Sequence, residues 1–310
     1  MTSHSAGRMI LIFIGFICYA VTLFISYTSS SKDADVLGIF NNGTGTVSDK
    51  FYIPITPAGW TFGLIWGIIY VLQAIWYIYA LTTICRKDNE GRYLYTLPFL
   101  PPVFYVVFLL NNIFVVAWLI VWDREYINWA LGVIIFTPFT LYICLVFSYR
   151  GLYNSIETLQ RGGAGKEVWF NRILVQNGMS FFATWVSIAS LLNFAIVLSY
   201  TWSRSTELSS TVALGLLSVE IIVWFTLDVF FLDKYTRYTV TPYIVVVVAL
   251  IGSINKNFDL DIRERNSIFT AVLLGVAGLL LLMKLIVIVV RHRKYPIKGN
   301  ASDDVKGIMA

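Results

Sequence analysis

The chain has 310 residues, of which 57% are hydrophobic and 13% are charged, and its net charge is +5. A soluble domain is about 45–50% apolar and about 25% charged, so this composition excludes a soluble domain and predicts an integral membrane protein. In a soluble protein the positive charge would suggest a nucleic-acid partner; here membrane topology explains it, and no nucleic-acid partner is expected.

Apolar runs long enough to cross a bilayer occur about eight times. Roughly 20 residues are needed, because each rises about 1.5 Å through a hydrocarbon core about 30 Å thick. We place the spans at 9–28, 58–81, 97–121, 127–148, 173–199, 210–231, 239–254 and 267–290. The seventh is the shortest and follows Pro242, so seven spans is the alternative. The expected fold is an all-α polytopic membrane helix bundle.

Lys and Arg are distributed unequally between the connections. With eight spans, fifteen lie on the side of the two termini and seven on the other side. Since cytoplasmic loops carry the excess, both termini are predicted to be cytoplasmic, in the plasma membrane or an endomembrane. Asn42, in the sequon Asn42-Gly43-Thr44, is then a glycosylation site in the first external loop. The first run is longer than the apolar part of a cleaved signal peptide, which favours a retained helix.

The second span is the most distinctive segment. One face carries aromatic and glycine residues at helical spacing: Trp60, Gly63, Gly67 and Tyr70. Small residues on a face predict the close approach of another helix. From the residues alone, this pattern is typical of an interfacial Trp beside a glycine packing seam.

The same segment also resembles the second-helix signature of the translocator protein / tryptophan-rich sensory protein family. After Pro57, the matching residues are Trp60, Gly63, Trp66, Gly67 and Tyr70. Two further motifs follow in the family's order: Leu110-Asn111-Asn112 with Trp118 in the third span, and Trp185 to Asn193 in the fifth. The resemblance covers about residues 9–200, which correspond to the family's five helices.

Three more spans follow that part, which indicates a longer, eight-helix branch of the family. We divide the chain into a family-like five-helix domain at 1–200, three additional helices at 201–291 and a basic cytoplasmic tail at 292–310. Ala58-Gly59 also replaces part of the Pro-rich segment that precedes the family's second helix.

The resemblance implies an aromatic intramembrane pocket for a small apolar or amphipathic ligand, such as a porphyrin or a sterol. The protein would then act as a receptor, a sensor or a carrier. The matching positions are Trp60, Trp66, Tyr70, Asn111, Trp185, Ala189 and Asn193. An Asn in hydrocarbon needs a hydrogen-bond partner, which is either a ligand or a neighbouring helix held by a polar clamp.

Three charged residues fall inside spans: Glu220, Asp228 and Lys284. Such residues cost at least about 2.5–3.5 kcal/mol each and are functional candidates. Asp228 and Lys284 lie at similar depths, so they either pair or reach separately for the headgroups. Glu220 is either neutral and hydrogen-bonded across the bundle, or a ligand-pairing or proton-coupled carboxylate. The alternative function is a proton- or ion-coupled transporter or channel that uses Glu220 and Asp228.

Nothing in the sequence indicates catalysis. The three cysteines form no disulfide framework, and His4 and His292 are too peripheral for a metal site. We therefore expect no enzyme, no catalytic residue, no metal and no cofactor. The expected partners are membrane lipid and the porphyrin- or sterol-like ligand, and a homodimer is compatible with the sequence.

Overall fold

The computed structural model describes residues 4–259 and 264–297, and the long elements in these ranges are α-helices. The helices are α1 (Ala6–Thr28), α2 (Thr44–Lys50), α3 (Gly59–Cys85), α4 (Pro102–Asp123), α5 (Ile127–Arg161), α6 (Lys166–Phe170), α7 (Asn177–Tyr200), α8 (Thr206–Thr226), α9 (Asp233–Thr236), α10 (Thr241–Asn257) and α11 (Arg265–Lys294). Two π-helical segments lie between these helices: Asn171–Gln176 joins α6 to α7, and Leu227–Phe231 extends α8. The predicted all-α bundle is confirmed.

Within the described residues, seven helical segments are long and apolar enough to cross a membrane, and α10, with 17 residues, is slightly shorter. Just before α10, the Thr239 hydroxyl lies 2.8 Å from that of Tyr149. Tyr149 lies about 33 Å along α5 from Ile127, where that helix begins, at 1.5 Å per residue. The start of α10 is therefore far from the start of α5. At the other end of α10, Asn257 Nδ2 donates to the Thr56 carbonyl at 3.0 Å, just before α3 begins. The segment α10 therefore crosses the bundle, which gives eight crossings.

The described parts of the two chain ends lie at the same end of the bundle, which we call the terminal end. There the Ser5 N–H donates to the Tyr95 hydroxyl at 2.7 Å, and Arg237 donates to the Tyr295 carbonyl. The opposite end, called the loop end, carries the connections that follow α1, α4, α7 and α10.

The helix α5 continues well beyond its predicted membrane span. The span placed at 127–148 continues as α5 to Arg161. Leu152, Ile156 and Leu159 are buried and recur on one face, so the extension packs against protein at the terminal end. A backbone contact holds it there, because a Cβ at Gly151 would lie 2.6 Å from the Pro98 carbonyl oxygen.

The helices after residue 200 belong to the same packed bundle as the first five. Gly252 of α10 accepts a hydrogen bond from the Ala58 N–H at 3.0 Å, and its Cα faces Thr61 so closely that a side chain has no room. The Trp60 indole N–H also donates to Asn255 at 3.0 Å. The division drawn at residue 200 therefore falls inside continuous packing.

Among the described residues, no helix packs against the glycine face of α3, where a packing seam was expected. Gly63 and Gly67 are exposed, and a Cβ at either would meet nothing within 4 Å. The helix instead buries the face that carries Ile65, Ile69 and Trp76. Since both faces of a membrane helix are apolar, hydropathy does not distinguish the protein-facing face from the lipid-facing one.

A candidate ligand-binding cleft

The aromatic residues that the resemblance pointed to on α3 pack against protein or face outward. Trp60 is half exposed near the loop end, beside Asn255. Trp66 stacks on Tyr70 with ring centroids 5.5 Å apart and meets Phe182 edge-on at 5.9 Å. Trp66 therefore packs on its own helix and on α7.

Asn111 joins α4 to α5. Its Nδ2 donates to the Thr137 carbonyl at 3.0 Å and to the Thr140 hydroxyl at 2.9 Å, immediately around Pro138 inside α5. Its Oδ1 is buried and has no hydrogen-bond partner among the described residues. This geometry matches the interhelical polar clamp that was one of the two alternatives for an intramembrane Asn.

The three residues predicted on one face of α7 are also packed. Trp185 is fully buried and meets Phe62 edge-on at 5.4 Å, and its indole N–H has no partner in the described part of the chain. Asn193 accepts from the Trp118 indole at 3.4 Å and donates to the Ala189 carbonyl at 2.9 Å. None of the seven predicted pocket residues lines the three cavities considered below, so their role in binding stays a prediction.

The largest of the three cavities is a cleft of ≈ 750 Å³ between α5, α7 and α8. This volume lies in the range of about 300–1,000 Å³ that is usual for small-molecule sites. Towards the loop end its wall is apolar, formed by Leu131, Ile135, Phe139, Leu191, Phe194 and Leu216. Towards the terminal end it is more polar, with Tyr149, Arg150, Tyr235 and Thr236. The cleft therefore changes from apolar to polar along the membrane normal.

Glu220 lies in this cleft, near the middle of the membrane-crossing segment Thr206–Phe231. Its carboxylate makes no hydrogen bond or ion pair with any residue that the structure describes. The Tyr142 ring lines the same wall, with its hydroxyl 2.7 Å from Ser187 Oγ. Trp224, one turn after Glu220, also borders the cleft, and its buried indole N–H has no described partner.

A second, smaller cavity of ≈ 80 Å³ adjoins the cleft and shares Glu220, Tyr142 and Trp224 with it. Ser180, Thr184 and Ser187 add polar groups to its wall, which also includes Tyr243 of α10. A cavity of this size has room for water, and these groups offer hydrogen-bond partners. A third cavity, of ≈ 30 Å³, lies between α7, α8 and α10.

Asp228 and Lys284 form a buried ion pair. Lys284 Nζ lies 2.7 Å from Asp228 Oδ1, and both side chains are at most 1% exposed. The Tyr243 hydroxyl donates to Asp228 Oδ2 at 2.6 Å, and Lys284 also donates to the Thr236 carbonyl at 3.2 Å. Asp228 lies in the π-helical segment Leu227–Phe231, whose altered register carries it towards α11. Of the two arrangements open in the sequence, the structure has the pair.

Asp233 follows at the terminal end, beyond the membrane-crossing part of α8. Its carboxylate accepts hydrogen bonds from Arg237 and pairs with Arg291 at 2.7 Å. Partial burial acts to raise the pKa of Asp233, but the hydrogen bonds and charges of Arg237 and Arg291 outweigh it, so the pKa lies below its usual 3.8. The charged carboxylate therefore ties α9 to α11.

The sequon residue Asn42 is tied to the protein. Its backbone N–H donates to Asp123 Oδ1 at 2.8 Å, and its side-chain Nδ2 donates to the Asp123 carbonyl at 3.4 Å. The amide that a glycan would modify is thus hydrogen-bonded at the loop end, and glycosylation stays a prediction.

Sequence reasoning singled out Glu220 but missed the residues around it. Trp224 is at i+4 from Glu220, and this spacing alone places the two side chains on one face of the helix. Tyr142 and Ser187 lie in other spans and leave no such signal, because only the packing of α5, α7 and α8 brings them to Glu220.

The fold is that of a polytopic α-helical membrane protein, with a cleft between α5, α7 and α8. A family model described as TSPO-like protein matches residues 10–288, so the chain belongs to this family. The match continues through α8, α10 and most of α11, beyond residues 9–200, which carry the resemblance seen in the sequence. No curated protein and no solved structure matches the chain.

Proposed function

We propose that this protein binds a small amphipathic molecule inside the membrane, in the cleft between α5, α7 and α8, and acts as a receptor, sensor or carrier for it. The observation that carries this proposal is the position of Glu220, an unpaired carboxylate in a cleft of ≈ 750 Å³. An ionisable side chain at membrane depth is costly and is retained where it meets a ligand or an ion. Membership of the TSPO-like family supports an intramembrane binding role.

The lining favours an amphipathic ligand over a purely apolar one. An apolar body fits the half of the cleft formed by residues such as Phe139, Phe194 and Leu216. A polar group then lies at the depth of Glu220 and Tyr142. Such sites combine a mostly apolar wall with a few polar groups that fix orientation.

The test is a fluorescence titration of the protein in lipid nanodiscs with protoporphyrin and, separately, with a sterol analogue. Val223 lines the cleft, whereas Val219, one turn earlier on α8, is similarly exposed but lines none of the three cavities. Val223→Phe fills the cleft and is expected to weaken saturable binding at least about tenfold, or about 1.4 kcal/mol. Val219→Phe is the matched control and is expected to bind like the wild type.

Two variants separate this cleft from the aromatic pocket implied by the resemblance. Trp66→Phe and Asn193→Ala change residues outside the cleft and are expected to leave the affinity unchanged. Loss of binding in these two variants, with Val223→Phe unaffected, would place the site among α3, α4 and α7. The absence of saturable binding of both probes would contradict a porphyrin- or sterol-like ligand in this cleft.

A second candidate function is proton-coupled transport through Glu220 and Asp228. The cavity of ≈ 80 Å³ reaches from Glu220 to Tyr243, whose hydroxyl donates to Asp228. Water in such a cavity would connect the two carboxylates by hydrogen bonds. This candidate predicts that proteoliposomes loaded with a pH dye acidify under an imposed gradient, and that Glu220→Gln abolishes this flux while keeping the fold. Equal flux in Glu220→Gln would eliminate it.

We also propose that the terminal end faces the cytoplasm, because the connections there carry most of the Lys and Arg residues. Cys85 is exposed at this end, whereas Cys144 is buried. A membrane-impermeant maleimide is expected to label Cys85 only after the plasma membrane has been opened. Labelling of Cys85 in intact cells would reverse the topology.

A further inference from the structure

We propose that the ligand of the cleft carries a cationic nitrogen that pairs with Glu220. This inference rests on the proposed function and specifies the chemical class of the ligand: a membrane-soluble amphiphile with a protonated amine or a quaternary ammonium group. It depends on the charges, the aromatic rings and the depth of the site.

Among residues 4–259 and 264–297, no basic side chain pairs with Glu220. Lys284, the basic side chain that the sequence places inside a span, already pairs with Asp228 at 2.7 Å. Arg150 lines the cleft near the terminal end, about 12 Å along α5 from Tyr142, and makes no ion pair with Glu220. A carboxyl group in an apolar surrounding stays charged beside a nearby opposite charge and is otherwise protonated. An occupant that keeps Glu220 charged therefore supplies that opposite charge itself.

Aromatic rings border the position where such a cation would lie. Tyr142 on α5 and Trp224 on α8 line both the cleft and the adjoining cavity together with Glu220. Ammonium groups are attracted to aromatic faces, most strongly to Trp, and this attraction increases where water is excluded. The hydrogen bond of the Tyr142 hydroxyl to Ser187 fixes that ring in place. An acid between two aromatic residues matches the requirements of an ammonium group.

The depth of Glu220 excludes the headgroup of a bulk phospholipid. Along the helix, Glu220 lies about 21 Å from Thr206 and about 16 Å from Phe231, at 1.5 Å per residue. A phospholipid ammonium stays in the interfacial region outside a hydrocarbon core about 30 Å thick. A free amphiphile whose nitrogen enters the core is therefore the occupant that fits, with its apolar chain towards Phe139 and Leu216.

The test compares probes that share a chain and differ in charge. Radiolabelled dodecyltrimethylammonium, dodecanol and dodecanoate are titrated into nanodiscs with and without the protein, so that partition into lipid can be subtracted. In the wild type the ammonium probe is expected to bind at least about tenfold more tightly than dodecanol, and dodecanoate more weakly than either. Glu220→Gln is expected to remove this preference for the ammonium. Glu207→Gln, an acid exposed at the loop end of the same helix, is the matched control that keeps it.

The outcomes separate the inference from the function on which it rests. If dodecanol binds saturably, Val223→Phe blocks it and the ammonium has no advantage in the wild type, the cationic ligand is wrong and the binding cleft stands. If no probe binds saturably, the cleft itself is wrong. The comparison of probes on the wild-type protein needs no variant, so a folding defect in Glu220→Gln leaves the inference testable.

Discussion

Two acidic residues two turns apart have opposite surroundings: Glu220 on α8, and Asp228 on the π-helical segment that extends it. Asp228 is fully buried, pairs with Lys284 and accepts a further hydrogen bond from Tyr243. Glu220 faces a cleft and has no hydrogen-bond or ion-pair partner among the described residues. Both have the same signature in the sequence, a carboxylate inside an apolar run.

The difference shows that a charged residue at membrane depth can serve structure or binding, and that its partners distinguish the two. The Asp228–Lys284 pair satisfies its own charges and connects α8 to α11, so its first role is structural. Glu220 has no such partner among the described residues, and the role that we propose for it is ligand binding. Predictions that separate stability from binding therefore test this comparison.

The largest effect on stability is expected when one member of the buried pair is removed. Lys284→Met leaves the Asp228 carboxylate buried and unpaired, which costs about 3–5 kcal/mol. Asp228→Leu combined with Lys284→Met removes both charges and is expected to recover most of this loss. Thermal unfolding in detergent, followed by circular dichroism, measures the stability of the single and the double variant. Lys234→Met, which changes an exposed lysine at the terminal end, is the control. A Lys284→Met variant as stable as the wild type would remove the structural side of the comparison.

The packing of the C-terminal helices on the rest of the bundle predicts a smaller loss. Gly252→Ala places a methyl group against Thr61 at the contact between α10 and α3, and such overpacking costs about 1–3 kcal/mol. Gly63→Ala, on the open face of α3, meets nothing and is expected to keep or slightly raise the melting temperature. If the two substitutions have equal effects, then α10 does not pack on α3 as described.

The neighbouring asparagines of α4 predict a still smaller difference. Asn111 donates to two groups of α5, whereas Asn112 Nδ2 donates to the Phe108 carbonyl of its own helix. Hydrogen bonds between membrane helices contribute about 0.6 kcal/mol on average and up to about 1.7 kcal/mol. Asn111→Ala is therefore expected to lower the melting temperature more than Asn112→Ala. The opposite order would show that Asn111 is not a clamp between helices, and would favour a role in ligand contact.

The smallest effect is expected at Asp233 and depends on pH. Because the pKa of Asp233 is lowered in the folded protein, its contribution to stability is present above its usual value of 3.8 and is lost as the pH falls through the folded pKa. Asp233→Asn is expected to cost less than about 1 kcal/mol at neutral pH and to flatten the stability profile below about pH 4. Identical profiles for the variant and the wild type would show that Arg237 and Arg291 do not stabilise this carboxylate.

Much of the fold follows from the sequence because lipid imposes a simple rule on length and apolarity. The eight predicted runs correspond to α1, α3, α4, α5, α7, α8, α10 and α11, including the short run at 239–254. The predicted span at 127–148 did not indicate where α5 ends, since the helix continues to Arg161 on a surface where Leu152 and Ile156 pack against protein. Apolarity marks where a helix crosses the lipid, and it gives no information on where the helix ends beyond it.

The site was less predictable, since it depends on which faces meet. The signature residues on α3 and α7 were found, but the contacts of Trp66 with Phe182 and of Trp118 with Asn193 fill the space between helices. Glu220 was found because a charge among apolar residues is conspicuous. The cleft around it comes from three helices that are distant in sequence, and no spacing rule connects Tyr142 or Ser187 to Glu220.

The most direct test of the cleft is a photolabelling map. A dodecyl amine that carries a diazirine on its chain is activated in nanodiscs that contain the wild-type protein, and the labelled peptides are identified by mass spectrometry. The cleft predicts labels on α8 around Leu216 and Val223 and on α5 around Phe139, which an excess of unlabelled dodecyltrimethylammonium removes. Competed labels on α3 around Trp66 and Tyr70, with none on α8, would contradict the cleft and favour the aromatic pocket.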